Sequence, residues 1–184
     1  MNRLQLVIVL ETSTEEGTDA LYFHSVLDYF FERRDLYGNE VNIVYVYLHG
    51  KQNYNSDDVL SQINNYTSMF NDWESERGET HTIYCLDTDS IEKVFKTGSF
   101  FKNVQDFCES NKFDLVWFCK NVENVFLGVE PQTLPNKLIA ALTFFRSGKI
   151  SKIKEFNLCK KEIEIGCSNI ISVLSQYLKR KNEE

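Results

Sequence analysis

A chain of 184 residues, 42% hydrophobic and 26% charged, is long enough for one domain with a filled core and short for two. Its formal charge of −7 excludes a protein drawn to nucleic acid by its net field, so any such binding needs a local basic patch or a bound metal. The five cysteines, Cys85, Cys108, Cys119, Cys159 and Cys167, are odd in number and lack CxxC spacing. They read as reduced core thiols of a cytoplasmic protein.

Residues 4–10 form an aliphatic run of strand length, the pattern of a strand covered on both faces, and it ends at Glu11. A polar loop over 12–17 leads to Thr18 and Asp19, either of which can cap a helix over 20–34 whose last turn holds Arg33 and Arg34. The aromatic residues Tyr22, Phe23, Tyr29, Phe30 and Phe31 follow the helical period and read as core, not as a base-stacking platform. Residues 41–48 give a second buried strand, closing at His49, Gly50 and Lys51. Ser56-Asp57-Asp58 opens a long second helix, with Val59, Leu60, Ile63, Tyr66, Met69, Phe70 and Trp73 at helical spacing, ending near Gly78.

Residues 82–86 are β-branched, aromatic and apolar, a third buried strand, and Asp87 and Asp89 arrive at its carboxyl end. A third helix is expected over about 99–110 and a fourth strand over 113–119. Pro135 opens a helix that ends near Gly148, and Ser168 caps a last helix reaching Leu178. Residues 179–184 are expected to be solvated and frayed. Residues 1–3 run straight into the first strand, so no secretory leader is expected, and no apolar run is long enough to cross a membrane.

Strand and helix alternate without a hairpin signal, which predicts an α/β fold: a Rossmann-like, four-stranded parallel sheet flanked by helices over 1–128, with a mostly helical extension over 129–184 packed on the same domain. Parallel strands bring Glu11, His49, Asp87 and the segment after Cys119 to one edge, where open α/β sheets keep their chemistry. Asp87 and Asp89 repel each other unless something positive lies between them, and a hard divalent cation fits; the plainer use of the pair is to punctuate a turn. Glu11 can face them if its strand and theirs are neighbours. Asp114 and Glu123 are further candidate carboxylates, although Asp114 comes early in its strand and serves equally as a structural partner. His49 and Lys51 are candidate phosphate contacts, and Lys120 a candidate transition-state clamp. The sequence carries no P-loop, GxGxxG, HExxH, zinc spacing or nucleophile elbow.

An aliphatic strand ending in Glu, a later Gly with Thr-Asp opening a helix, and a strand ending Asp-x-Asp together resemble the Toprim domain of topoisomerases, bacterial primases and OLD-type nucleases. More narrowly, Thr18-Asp19-Ala20-Leu21-Tyr22-Phe23, Leu86-Asp87-Thr88-Asp89 and Asn111-Lys112-Phe113-Asp114-Leu115-Val116-Trp117 resemble signatures of RloB-like, defence-associated Toprim proteins. The family has Glu directly followed by Gly. Here either Glu11 keeps the glutamate's place before a longer loop, or Glu16-Gly17 is the counterpart; a strand-terminal carboxylate is held more rigidly, which favours Glu11.

The resemblance implies that Glu11, Asp87 and Asp89 hold Mg²⁺ (or Mn²⁺) and cleave phosphodiester bonds of DNA or RNA, in the effector of an anti-phage defence system. It also implies an ATPase or another defence-system protein as partner and leaves homodimerisation open; the lack of a long apolar run leads to the expectation of no membrane partner. The alternative is a non-catalytic Toprim-like interaction or regulatory subunit that has lost the metal. A third reading is a doubly wound domain with an unrelated small-molecule activity.

Overall fold

The computed structural model describes residues 3–71, 78–89, 94, 96 and 98–181. Strands β1 (Arg3–Leu10), β2 (Val41–Tyr47), β3 (Gly78–Asp87) and β4 (Asp114–Phe118) form one all-parallel sheet in the order β2-β1-β3-β4. The Rossmann-like architecture expected from the alternation of elements is therefore present. β1 lies inside the sheet, and Leu6 to Leu10 have no solvent exposure. Each such aliphatic side chain contributes about 1.5–3 kcal/mol of burial free energy, which explains why the run carries no polar alternation.

Six α-helices lie among the described residues: α1 (Thr18–Phe30), α2 (Asp57–Asn71), α3 (Phe100–Asn111), α4 (Val122–Leu127), α5 (Leu134–Ser147) and α6 (Ile170–Leu174). Leu6, Ile8 and Leu10 face a core shared with α1, α4, α5 and α6, while Val7 and Val9 face α2 and α3. The topology explains the division. From β1 the chain moves outward through α1 to β2, then returns past β1 through α2 to β3. Crossovers of one hand that run in opposite directions must lie on opposite faces. The reversal leaves a crevice between the carboxyl ends of β1 and β3. The C-terminal segment belongs to the same core, to which Ala141, Phe144, Ile150, Leu158, Ile171 and Leu174 contribute.

The structure corrects several expectations. α1 ends at Phe30, before Arg33 and Arg34, because Phe31 is extended and bridges Arg180 in antiparallel fashion. The tail expected to fray is ordered over residues 179–181: Glu32 N–H donates to Lys179 C=O (2.9 Å), Lys179 N–H to Arg34 C=O (2.9 Å) and Lys181 N–H to Phe30 C=O (3.0 Å). Arg180 spans the rings of Phe30 and Phe31, 5.2 Å from each, and pairs with Glu155 at 2.8 Å. Tyr29 points outward and is 40% exposed, unlike the buried Tyr22, Phe23, Phe30 and Phe31.

Gly78 opens β3 rather than closing α2, and Met69 of the expected apolar stripe is 72% exposed. Trp73 lies outside the described residues. The last helix is α-helical only to Leu174, continuing as turns, and its N-cap is Asn169; Ser168 Oγ still accepts from Ile170 N–H at 3.2 Å. The short α4, capped by Asn121 accepting from Asn124 N–H (2.9 Å), is an element the sequence pattern does not announce, since six residues carry too little periodicity.

The β4 edge of the sheet is covered. Phe118 bridges Ser168, Cys119 N–H donates to Cys167 C=O (2.9 Å), and Ser168 Oγ donates to Trp117 C=O (2.7 Å). All five cysteines are free thiols. Among the described residues no helix is long and apolar enough to cross a membrane.

Candidate functional site

Leu10 of β1 pairs with Cys85 of β3, so Glu11 and Asp87 leave neighbouring strands at the crevice, as the sequence reading requires for them to meet. The Glu11 main chain is fixed by Gly50 N–H donating to its C=O at 3.1 Å. Its carboxyl is pushed up to about 7, first by burial and then by the charge of Asp19, with Asp89 adding to the effect and Lys51 and the Asp87 main-chain N–H opposing it. Glu11 Oε2 is buried and has no hydrogen-bond partner among the described residues. Burial likewise holds Asp87 well above the usual carboxylate range, reinforced by Asp19, Glu11, Glu123 and Asp89 in that order.

Asp19 and Glu123 thus join the three acids on which the sequence reading centres. Asp19 sits in the first turn of α1, where burial and then Glu123 push it up to about 6 while the Thr18 hydroxyl, at 3.2 Å, opposes them. The loop that delivers it depends on Gly17: a Cβ there would stand 1.5 Å from Thr12 Oγ1, so only glycine lets residue 12 fold against the start of α1. Glu123 lies in the first turn of α4, is 2% exposed, and stands 3.6 Å from Lys137 of α5. Tyr22, one turn beyond Asp19, is fully buried; its hydroxyl feels both Glu123 and Asp19 and has no partner among the described residues.

Lysines rim the cluster. Lys51 Nζ contacts Asp89 Oδ2, Lys137 also reaches Glu130 at 3.1 Å, and Lys120 lies 3.7 Å from Glu130. The backbone here is unusual: His49, Asp89 and Lys120, in the loops leaving β2, β3 and β4, have φ of 53°, 59° and 69°. Left-handed backbone costs a residue with a Cβ about 1–2 kcal/mol, and such strain concentrates at functional edges. Hydrogen bonds hold it in place: Asp89 N–H donates to Lys120 C=O (2.8 Å), and Lys120 N–H to the buried Thr88 Oγ1 (2.9 Å). Beside Asp89 opens a cleft of about 450 Å³ whose lining includes Lys51, Lys96, Ser99 and Phe100.

The remaining sequence candidates fall outside the cluster. Glu16 is exposed on the loop, so the glutamate at the strand ends is Glu11. Asp114 starts β4, at the far end of the sheet, and accepts from the Tyr177 hydroxyl at 2.6 Å, a structural pairing. His49 is exposed, and Lys120 turns toward Glu130. Asp19, Tyr22, Lys137 and Thr88 are the residues that sequence reasoning missed. The signal for Asp19 was present: the first turn of a helix following a parallel strand returns over that strand's carboxyl end.

The donor chemistry suits an oxygen-preferring dication, since every acid supplies hard carboxylate oxygen and Glu11 Oε2 lacks a partner. Among the described residues, however, no three His, Cys, Asp or Glu side chains are arranged to hold one ion. Comparison of the sequence with protein-family models and with curated proteins finds no match.

Proposed function

We propose that the strand-end cluster is the centre of a Mg²⁺- or Mn²⁺-dependent nuclease that hydrolyses phosphodiester bonds of DNA or RNA, as the resemblance to Toprim nucleases implies, in an anti-phage defence setting. The observation that carries this reading is the meeting of Glu11, Asp87 and Asp89 at the β1/β3 crevice, with a Glu11 oxygen left unpartnered. Burial and mutual repulsion raise these carboxyls, and a bound cation would relieve the repulsion that remains once they ionise. A bound dication polarises the phosphate and lowers the pKa of water. Glu11, Asp87 and Asp89 would hold it, and Lys51 and Lys96 line the cleft that would receive the nucleic-acid backbone. Net negative charge makes a basic partner, such as an ATPase subunit, useful for gripping substrate.

A second reading, an interaction subunit without catalysis, is favoured by the lysines that already neutralise Asp89 and Glu123 and by the lack of three converging donors among the described residues. Isothermal titration with Mn²⁺ separates the two. The nuclease reading expects binding that Asp87→Ala abolishes, together with metal-dependent cleavage by the wild type. Absence of binding by the wild type leaves the interaction subunit.

A further inference from the structure

β2 is the second edge of the sheet, and among the described residues nothing caps it as Asn169 and Ser168 cap β4. In a parallel ladder alternate residues turn both main-chain groups to the same neighbour. Leu48 N–H donates to Leu10 C=O at 2.9 Å, so Asn42, Val44 and Val46, in step with Leu48, face β1. Ile43, Tyr45 and Tyr47 therefore turn their N–H and C=O groups to the open side, as does Val41, whose N–H reaches Arg33 C=O at 3.1 Å. Among the described residues no main-chain hydrogen bond from outside the sheet meets Ile43, Tyr45 or Tyr47. Proteins protect such an edge with charge, proline, a bulge, shortness or a cover. Residues 41–48 hold no charged residue and no proline, and the seven residues of β2 pair with β1 in unbroken register from Val41 to Tyr47.

Charge sits at the two ends instead. At the amino end Arg33 is tied to Val41 through its carbonyl, and its side chain stays 60% exposed although it lies 3.4 Å from Asp28. At the carboxyl end His49 N–H donates to Thr12 C=O at 3.3 Å, which holds the loop carrying the exposed Glu15; Glu15 adds to the burial that raises the Tyr47 hydroxyl. Both charges also reach Tyr45, whose hydroxyl burial holds high, so they flank the middle outward residue on the α1 side of the sheet.

We propose that the open β2 edge is a dimer interface: a second copy of this chain pairs its own β2 antiparallel about a twofold axis beside Tyr45, joining the two sheets into one. In that register Tyr45 meets its own counterpart, and Ile43 exchanges both main-chain bonds with Tyr47 of the partner subunit, so each outward group of the three residues finds a partner. An axis perpendicular to the sheet keeps the α1 faces on one side and brings Glu15 against Arg33 of the partner subunit at both ends of the interface. This match of the edge to itself, in hydrogen bonds and in charge, selects a second copy over an unrelated extended segment. Antiparallel pairing sends the two acid clusters to opposite ends of the joined sheet, so the interface stands independently of metal and of the nuclease reading.

The test is sedimentation equilibrium of the full chain in EDTA over a dilution series, comparing wild type with Glu15→Arg, Arg33→Glu and Tyr47→Pro, each first shown to unfold cooperatively. Wild type should dimerise reversibly. Each charge reversal puts like charges together at both ends of the interface and should weaken the dimer about tenfold or more, whereas an equal mixture of the two reversed proteins should associate within about threefold of wild type, because opposite charges then meet again. Tyr47→Pro deletes one outward N–H, leaves the ladder with β1 in place, and should weaken the dimer by about tenfold as well. A wild type that stays monomeric at every concentration overturns the proposal and leaves the edge to a segment of another protein. A dimer that withstands either the reversals or Tyr47→Pro overturns it too, because another surface would then hold the copies together. Reversals that weaken the dimer without rescue on mixing overturn the antiparallel twofold register.

Discussion

The side-chain amide of Asn169 takes the place of a fifth strand beside Trp117: its Oδ1 accepts from Trp117 N–H at 2.9 Å, and its Nδ2 donates to Leu115 C=O at 2.9 Å. One residue thus satisfies both main-chain groups of an edge strand that would otherwise invite another chain. Asn169→Asp keeps the acceptor and loses the donor, leaving Leu115 C=O facing a carboxylate. The expected cost is about 1–3 kcal/mol in urea unfolding, with Asn169→Ala similarly destabilised and more prone to self-associate at high concentration. Wild-type midpoints in both variants would show that the edge is satisfied in some other way.

Removing one acid from the cluster should stabilise the metal-free fold. Asp87→Asn is nearly isosteric, ends repulsion with Asp19, Glu11, Glu123 and Asp89, and should raise the melting temperature in EDTA by several degrees while abolishing cleavage. Differential scanning calorimetry reads the first effect and a nuclease assay the second. Retained cleavage by purified Asp87→Asn would count against the proposed function.

Burial, and the repulsion added to it, sets a pH dependence. Glu11 and Asp19 titrate near 7 and 6 in the fold, above about 4.3 and 3.9 for unfolded chains. Between those values the folded state binds more protons than the unfolded one, so stability falls as pH rises from about 4 toward 7 and then levels. Thermal unfolding in EDTA should give a lower melting temperature at pH 8 than at pH 5.5, and Mn²⁺ at pH 8 should restore the difference. A flat profile over this range would mean that the acids are not held together in solution.

Gly17 offers a test of how Asp19 is delivered. Gly17→Ala should destabilise the protein by about 1–3 kcal/mol, because the new Cβ meets Thr12 Oγ1 at 1.5 Å and Thr12 Cβ at 2.6 Å. Adding Thr12→Gly should recover most of the loss, which a double-mutant cycle in urea would read as coupling.

What the sequence made legible was whatever local pattern determines. The β1 aliphatic run, the helical periods and the acids closing β1 and β3 are set by burial on two faces and by parallel direction, so Glu11 and Asp87 could be assigned to one edge beforehand. Glu123, just past β4, was legible as a further carboxylate, whereas Lys137 reaches it only through the tertiary placement of α5. Asn169 was equally hidden, since substituting for a strand leaves no periodicity.

The pairing of residues 179–181 with 30–34 fastens the chain's last described turn to the foot of α1, whose opposite end carries Asp19. α1 is a rod of 13 residues, about 20 Å long, so its heel and its tip cannot tilt independently. Removing the pairing of residues 179–181 would therefore be felt at the far acid corner through leverage. Tags intended to leave the centre undisturbed belong elsewhere on the surface.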